Sequence, residues 1–86
     1  MKIANRNASQ YVQNKEVFQG SNMYAKYVGN KYVVYSYGNH FPMYVFYHVR
    51  WYRNTDKYSV TTSKHQSQAM PYVDRFVERN TRELRS

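Results

Sequence analysis

Between Met43 and Tyr52, aromatic and cationic residues alternate in a way that could do chemistry. On a regular strand, Tyr44, Phe46, His48, Arg50 and Tyr52 would share one face, and Met43, Val45, Tyr47, Val49 and Trp51 the other. The first set interleaves rings with a histidine and a guanidinium. Binders of single-stranded nucleic acid use such a face: rings stack on bases and cations meet phosphates. The expected site is therefore Tyr44, Phe46, His48, Arg50 and Tyr52 as a stacking face, with Arg53, Lys57, Lys64 and His65 on phosphates. The same residues also suit interior packing, because a tyrosine ring packs well at a half-buried position while its hydroxyl stays wet.

A second constellation is the polar run from Tyr58 to Gln68. Ser63 and Gln66 have the spacing of a capping box, and a helix start carrying Lys64 and His65 would attract an anion. The simpler role for these hydroxyls is to satisfy nearby backbone groups. The stretch Tyr58-Ser59-x-Thr61-Thr62-Ser63-Lys64-His65 resembles a motif of small, mostly uncharacterised proteins of bacteriophages and other mobile elements. Tyr35-Ser36-Tyr37-Gly38 and Asn54-x-Asp56-Lys57 look similar to the same group. The resemblance covers residues 32–71 and implies a phage or prophage source and a compact β-rich domain, with no activity attached. Tyr47-His48-Val49-Arg50 lacks the polar turn expected in such relatives.

Catalytic and metal chemistry find little support. There is no Cys, so disulfides, thiolate zinc sites and cysteine nucleophiles are excluded. His40 and His48 would lie roughly 26 Å apart on one regular strand, too far to share an ion. Asp56 is the one carboxylate near the Ser59, Ser63 and His65 group, which leaves a Ser–His pair without a clear orienting partner. Three glycines form neither a phosphate loop nor a dinucleotide fingerprint. The reading is a non-enzymatic protein without metal or cofactor.

Charge points to the class of partner. The chain carries 13 Lys and Arg against 5 acids, a net charge of +8. Residues 17–55 contain no acid at all while holding Lys26, Lys31, Arg50 and Arg53. Such a surface attracts polyanions by steering and counterion release. The absence of a dense Lys/Arg cluster leaves a solvated basic surface as the plainer account.

These residues must be positioned by a small scaffold. At 86 residues there is room for one domain. Aliphatic content is low, and 11 Tyr, 4 Phe and 1 Trp must supply the buried area. Residues 1–16 read as a flexible N-terminal arm ending in a strand at Tyr11-Val12 or Val17-Phe18. Gly29-Asn30 and Gly38-Asn39 sit between β-prone runs and predict hairpin turns. The strands are expected at 22–28, at 31–37 and from 40–41 onward, with a bend near Tyr47-His48-Val49. A further strand is read over Tyr58–Thr62. Pro71, then Val73, Phe76, Val77 and Leu84, read as a C-terminal helix over about 71–84. The fold class is thus α+β: an antiparallel meander of four to five strands with one C-terminal α-helix, residues 17–86 forming a single domain.

No run of about 18 apolar residues predicts a membrane span. Met1–Asn7 lacks the apolar stretch of a secretory signal, so a cytoplasmic location in a host bacterium is expected. The expected partner is nucleic acid. The alternative is an acidic host protein surface, such as a nucleic-acid-handling defence complex of the CRISPR kind that a phage protein would inhibit, with Tyr, Trp and Arg as anchors. Self-association as a homodimer through sheet edges is the third expectation.

Overall fold

The computed structural model describes residues 3–4, 7–20, 22–36, 41–56, 60–73 and 75–84. The elements are α1 (Ala8–Gln13), β1 (Phe18–Gln19), β2 (Met23–Val28), β3 (Lys31–Ser36), β4 (Phe41–Tyr47), β5 (Arg50–Asn54), α2 (Val60–Ala69), β6 (Val77–Arg79) and α3 (Thr81–Leu84). The strands form one sheet in chain order, β1 to β6. The first five pair antiparallel, and β6 joins β5 in parallel.

The β2–β3 hairpin forms where the sequence places it. Gly29 takes φ 61° at the first loop position, a left-handed conformation that glycine adopts without steric cost. Val28 pairs with Lys31, and the register then runs back to Tyr24 opposite Tyr35 and Met23 opposite Ser36. The second expected turn, at Gly38-Asn39, lies outside the described residues. Between β3 and β4 the register shifts at Val34/Tyr35, so that Met43 is the extra residue of a bulge. A bulge sends two consecutive side chains to one side. Phe41, Met43 and Tyr44 accordingly all enter the main core.

That core lies between the sheet and the two longer helices. Ala8 and Val12 of α1 and Ala69 of α2 pack on Phe18, Met23, Ala25, Tyr32, Val34 and Trp51. The rings of Tyr32 and Trp51 meet edge to face at 6.2 Å, an arrangement their quadrupoles favour. A smaller cluster on the opposite, distal face joins Val33, Val45 and Leu84 of α3. The molecule measures 27 × 26 × 25 Å. Among the described residues no helix is long and apolar enough to cross a membrane.

Three expectations are corrected. Residues 1–16, read as a flexible arm, contain a packed helix, and the backbone N–H of buried Ile3 donates to the Gln19 carbonyl at 2.8 Å. A run rich in Asn and Gln hides this helix, because only Ala8 and Val12 are fully buried, with Tyr11 packed beside them. The helix ends on Lys15 at φ 55°: its N–H donates to Val12 and that of Glu16 to Tyr11, the two bonds of a left-handed C-terminal cap. The hydroxyl of Tyr32 donates to the Glu16 carbonyl at 2.6 Å, and that of Tyr27 to Lys15 at 2.8 Å.

The second correction concerns residues 60–69, read in part as a strand from their β-branched and hydroxyl residues. They form α2 instead. Among the described side chains of α2, His65 and Ala69, one helical turn apart, are the buried ones, so burial overrides local propensity.

The third correction is the C-terminal helix over 71–84. Residues 71–73 and 75–76 have no regular structure, Val77–Arg79 adds a sixth strand, and only Thr81–Leu84 is helical. Val77–Arg79 takes the edge of β5, and Asn80, which interrupts the apolar stripe, separates this strand from α3. Its side-chain Oδ1 accepts from the Glu83 N–H at 2.9 Å, while Glu83 accepts from the Asn80 N–H at 3.1 Å. This reciprocal cap starts a new helix at the point where the longer one would have continued.

Candidate nucleic-acid interface

The expected stacking face does not survive the turn between β4 and β5. His48 and Val49 take φ 52° and 59° in a two-residue loop, so the bend expected near Tyr47–Val49 is a tight reversal. Across it, Tyr44 pairs with Arg53, Val45 with Tyr52, Phe46 with Trp51 and Tyr47 with Arg50. Directly opposed residues share a face. The partner numbers add to an odd total, so even positions of β4 face with odd positions of β5. Tyr44 and Phe46 therefore face the helices with Arg53, while Arg50 and Tyr52 turn to the distal face.

The nine expected site residues disperse accordingly. Tyr44 is wholly buried, and its hydroxyl donates to the Gln66 carbonyl of α2 at 2.8 Å. Burial pushes its hydroxyl up to about 12, against an opposing pull from Arg53. Phe46 is half-buried between Trp51, 5.1 Å away, and the Lys15 ammonium, 4.5 Å above its ring. Arg53 is held by Glu78 at 2.6 Å and covers the Phe76 ring at 5.2 Å. His65 is 3% exposed and shares a hydrogen bond between its Nδ1 and the Ser36 hydroxyl at 2.8 Å. Burial, with Lys64 beside it, lowers its pKa. Four of the expected contacts are thus structural. Lys64 is exposed on α2, and Lys57 lies outside the described residues. His48 and Arg50 are exposed, and Tyr52 is half-buried on the distal face.

The distal face gathers a different set of tyrosines and cations. Tyr24 and Tyr35, opposite each other on β2 and β3, stack with ring centroids 5.2 Å apart and planes 27° from parallel. Lys26 Nζ lies 6.0 Å from the Tyr24 ring centre and 5.8 Å from that of Tyr35. Lys31 Nζ stands 5.6 Å over Tyr47, and the Arg79 guanidinium 6.0 Å over Tyr52. All four rings are partly exposed. Each meets a cation, a geometry worth about 0.5–1 kcal/mol at an exposed site.

Two hollows adjoin this face. One, of about 170 Å³, opens between Lys31, Tyr47, Tyr52, Arg79, Glu83 and Leu84. The other, of about 360 Å³, is bounded by Tyr47, His48, Arg50 and Tyr52. Tyr47 and Tyr52 line both.

Tyr24, Lys26, Lys31, Tyr35, Tyr47 and Arg79 were not among the expected site residues. For the β2–β3 pair the signal was present. A two-residue loop at Gly29-Asn30 fixes Val28 opposite Lys31, and counting back sets Tyr24 opposite Tyr35 with Lys26 two residues on. Nothing local revealed Arg79, which reaches the face only because β6 joins the sheet.

Comparison of the chain with family models, curated proteins and solved structures found no match. The structure defines an α+β domain whose six-stranded mixed sheet is covered by α1 and α2 on one face and carries an aromatic, basic surface, bordered by α3, on the other.

Proposed function

We propose that the protein is a non-enzymatic binder of single-stranded nucleic acid, with the distal face of the sheet as its interface. The observation that carries this reading is the pairing of each partly exposed tyrosine of this face, Tyr24, Tyr35, Tyr47 and Tyr52, with a cation. A nucleotide supplies both groups that such a pair can take: a base for the ring and a phosphate for the cation. In the free protein the cations rest on the rings. On binding, each ammonium or guanidinium moves from ring to phosphate and the vacated ring accepts a base.

The dimensions support two or three nucleotides. Tyr24 and the row of Lys31 and Tyr47 are separated by about four residues along the strands, roughly 13 Å. Sheet-borne aromatics in RNA-recognition domains stack two or three bases on a comparable surface. The β2–β5 part of this face comes from the acid-free stretch 17–55, so its own strands add no charge that repels phosphate. A cytoplasmic location in a bacterial host suits this role and belongs to the same proposal.

Fluorescence anisotropy with a labelled oligo-dT tests it. Four phosphate contacts, from Lys26, Lys31, Arg50 and Arg79, give a slope of log affinity against log salt near −3. A flat salt dependence, or no binding at micromolar protein, would sink the reading. Capture of a nuclease-resistant protein partner by a protein that ignores oligo-dT would reassign the face to protein docking.

A further inference from the structure

Resting on that reading, we infer that the 170 Å³ hollow beside α3 takes one base of the bound strand and selects guanine through the Glu83 carboxylate. Glu83 is the one acid lining this hollow, which it shares with Lys31, Arg79, Tyr47 and Tyr52. Among the described residues it enters no ion pair, the one such pair being Arg53–Glu78. Its Oε1 accepts from the Asn80 N–H at 3.1 Å.

The helix cap alone does not call for a charge. Glutamine closes the same reciprocal cap, because its amide oxygen accepts from the same backbone N–H. A carboxylate on a polyanion-binding face repels phosphate, so its place there is favourable when the ligand brings hydrogen-bond donors to it. Carboxylates are acceptors only. Guanine presents two neighbouring donors on its pairing edge, N1–H and the N2 amino group, spaced to meet the two oxygens of a carboxylate. Cytosine and adenine present one amino group beside a ring nitrogen whose lone pair repels the second oxygen. Thymine and uracil present a single imide N–H flanked by two carbonyl oxygens. Charge-assisted, two-pronged contacts of this kind are the strong ones. Lys31 and Arg79 flank the hollow and are placed to meet the phosphate attached to the same base.

The test compares guanosine and uridine 5′-monophosphates by NMR titration of the backbone amides around Tyr47, Tyr52 and Glu83, on the wild type and on Glu83→Gln. Labelled oligo-dT, and the same oligomer with one central guanine, are measured alongside by anisotropy. The guanine nucleotide should bind about tenfold more tightly than the uridine one, the discrimination that a two-pronged base contact provides. E83Q should abolish that preference while leaving the melting temperature unchanged, and should strengthen oligo-dT binding, because it removes the charge that repels phosphate. Equal binding of the two nucleotides by the wild type, or a guanine preference that survives E83Q, overturns the inference. If oligo-dT still binds in either case, the interface stands and only the base selection falls. If neither oligo-dT nor either nucleotide binds, the interface and the selection fall together.

Discussion

Tyr24 and Tyr35 stack across the β2–β3 ladder at 5.2 Å, and Lys26 lies within 6.0 Å of both rings. A hairpin turn thus builds a cationic aromatic pair on the side of the sheet that α1 and α2 leave uncovered. Tyr35→Ala should weaken oligonucleotide binding by about 1–3 kcal/mol, the usual worth of one base-stacking ring. Tyr44→Phe should leave affinity unchanged, because Tyr44 faces the helices and its hydroxyl bonds Gln66. Parallel anisotropy titrations of the two variants check both outcomes. A loss of affinity in Y44F equal to that in Y35A would mean that the wrong face has been assigned.

Arginines in one sheet differ in what they can give a phosphate. Arg53 is neutralised by Glu78 at 2.6 Å, across the parallel β5–β6 pair. Arg79 lies over Tyr52 on the distal face. R79A should make the salt slope shallower by about 0.7, the single-strand value for one phosphate contact. R53A should leave the slope where it is and lower stability by no more than about 1 kcal/mol, as for other exposed ion pairs.

The turn between β4 and β5 is built from residues ill suited to it. His48 and Val49 both have positive φ, and Val49 is β-branched and 88% exposed. Left-handed backbone costs a non-glycine residue about 1–2 kcal/mol. Replacing the pair by Asn-Gly keeps the loop length and relieves that cost. The double variant H48N/V49G should gain about 1–2 kcal/mol in urea unfolding. No gain would mean that interactions of the His48 side chain offset the strain.

His65 gives the fold a pH dependence on the acid side. Burial in the first place, and Lys64 next, hold its pKa below the ordinary histidine value of about 6.5. The unfolded chain therefore takes up a proton at a higher pH than the folded one. Stability is full above about 6.5 and falls as the pH drops from there toward the folded value. Melting curves between pH 7.5 and 5 should show this fall. The variant His65→Gln should flatten it within that window.

Asn54 ties three segments at the end of β5. Its amide nitrogen donates to the Pro42 carbonyl and to the Thr81 hydroxyl, each at 2.8 Å, and its Oδ1 accepts from the Asp56 N–H at 2.8 Å. Asn54→Ala should cost about 2–3 kcal/mol, since it leaves buried partners unsatisfied. Chemical denaturation measures it directly. A cost near zero would show that α3 and the β4 strand hold without this link.

The meander from β2 to β5 was legible because its determinants are local. Gly29-Asn30 sets a two-residue loop, β-branched and aromatic residues fill the strands, and alternation assigns the faces. The basic, tyrosine-rich character of the surface was equally legible, since composition and charge need no coordinates. The membership of that surface was not. It turned on the parity of one reversal at His48-Val49, where no Gly or Asn marks a turn, and a single residue's shift there exchanges the two faces.

The remaining differences have one physical origin. Helix or strand at residues 60–84 depended on partners distant in sequence: α2 formed because His65 and Ala69 could be buried on the sheet, and β6 because the β5 edge offered it a ladder. Local propensities there differ by tenths of a kcal/mol per residue, while burial is worth about 0.8 kcal/mol for each methylene-sized group. The chain alone determined the kind of surface that this protein presents. Only tertiary packing decided which tyrosines reach it, and which are spent in holding the molecule together.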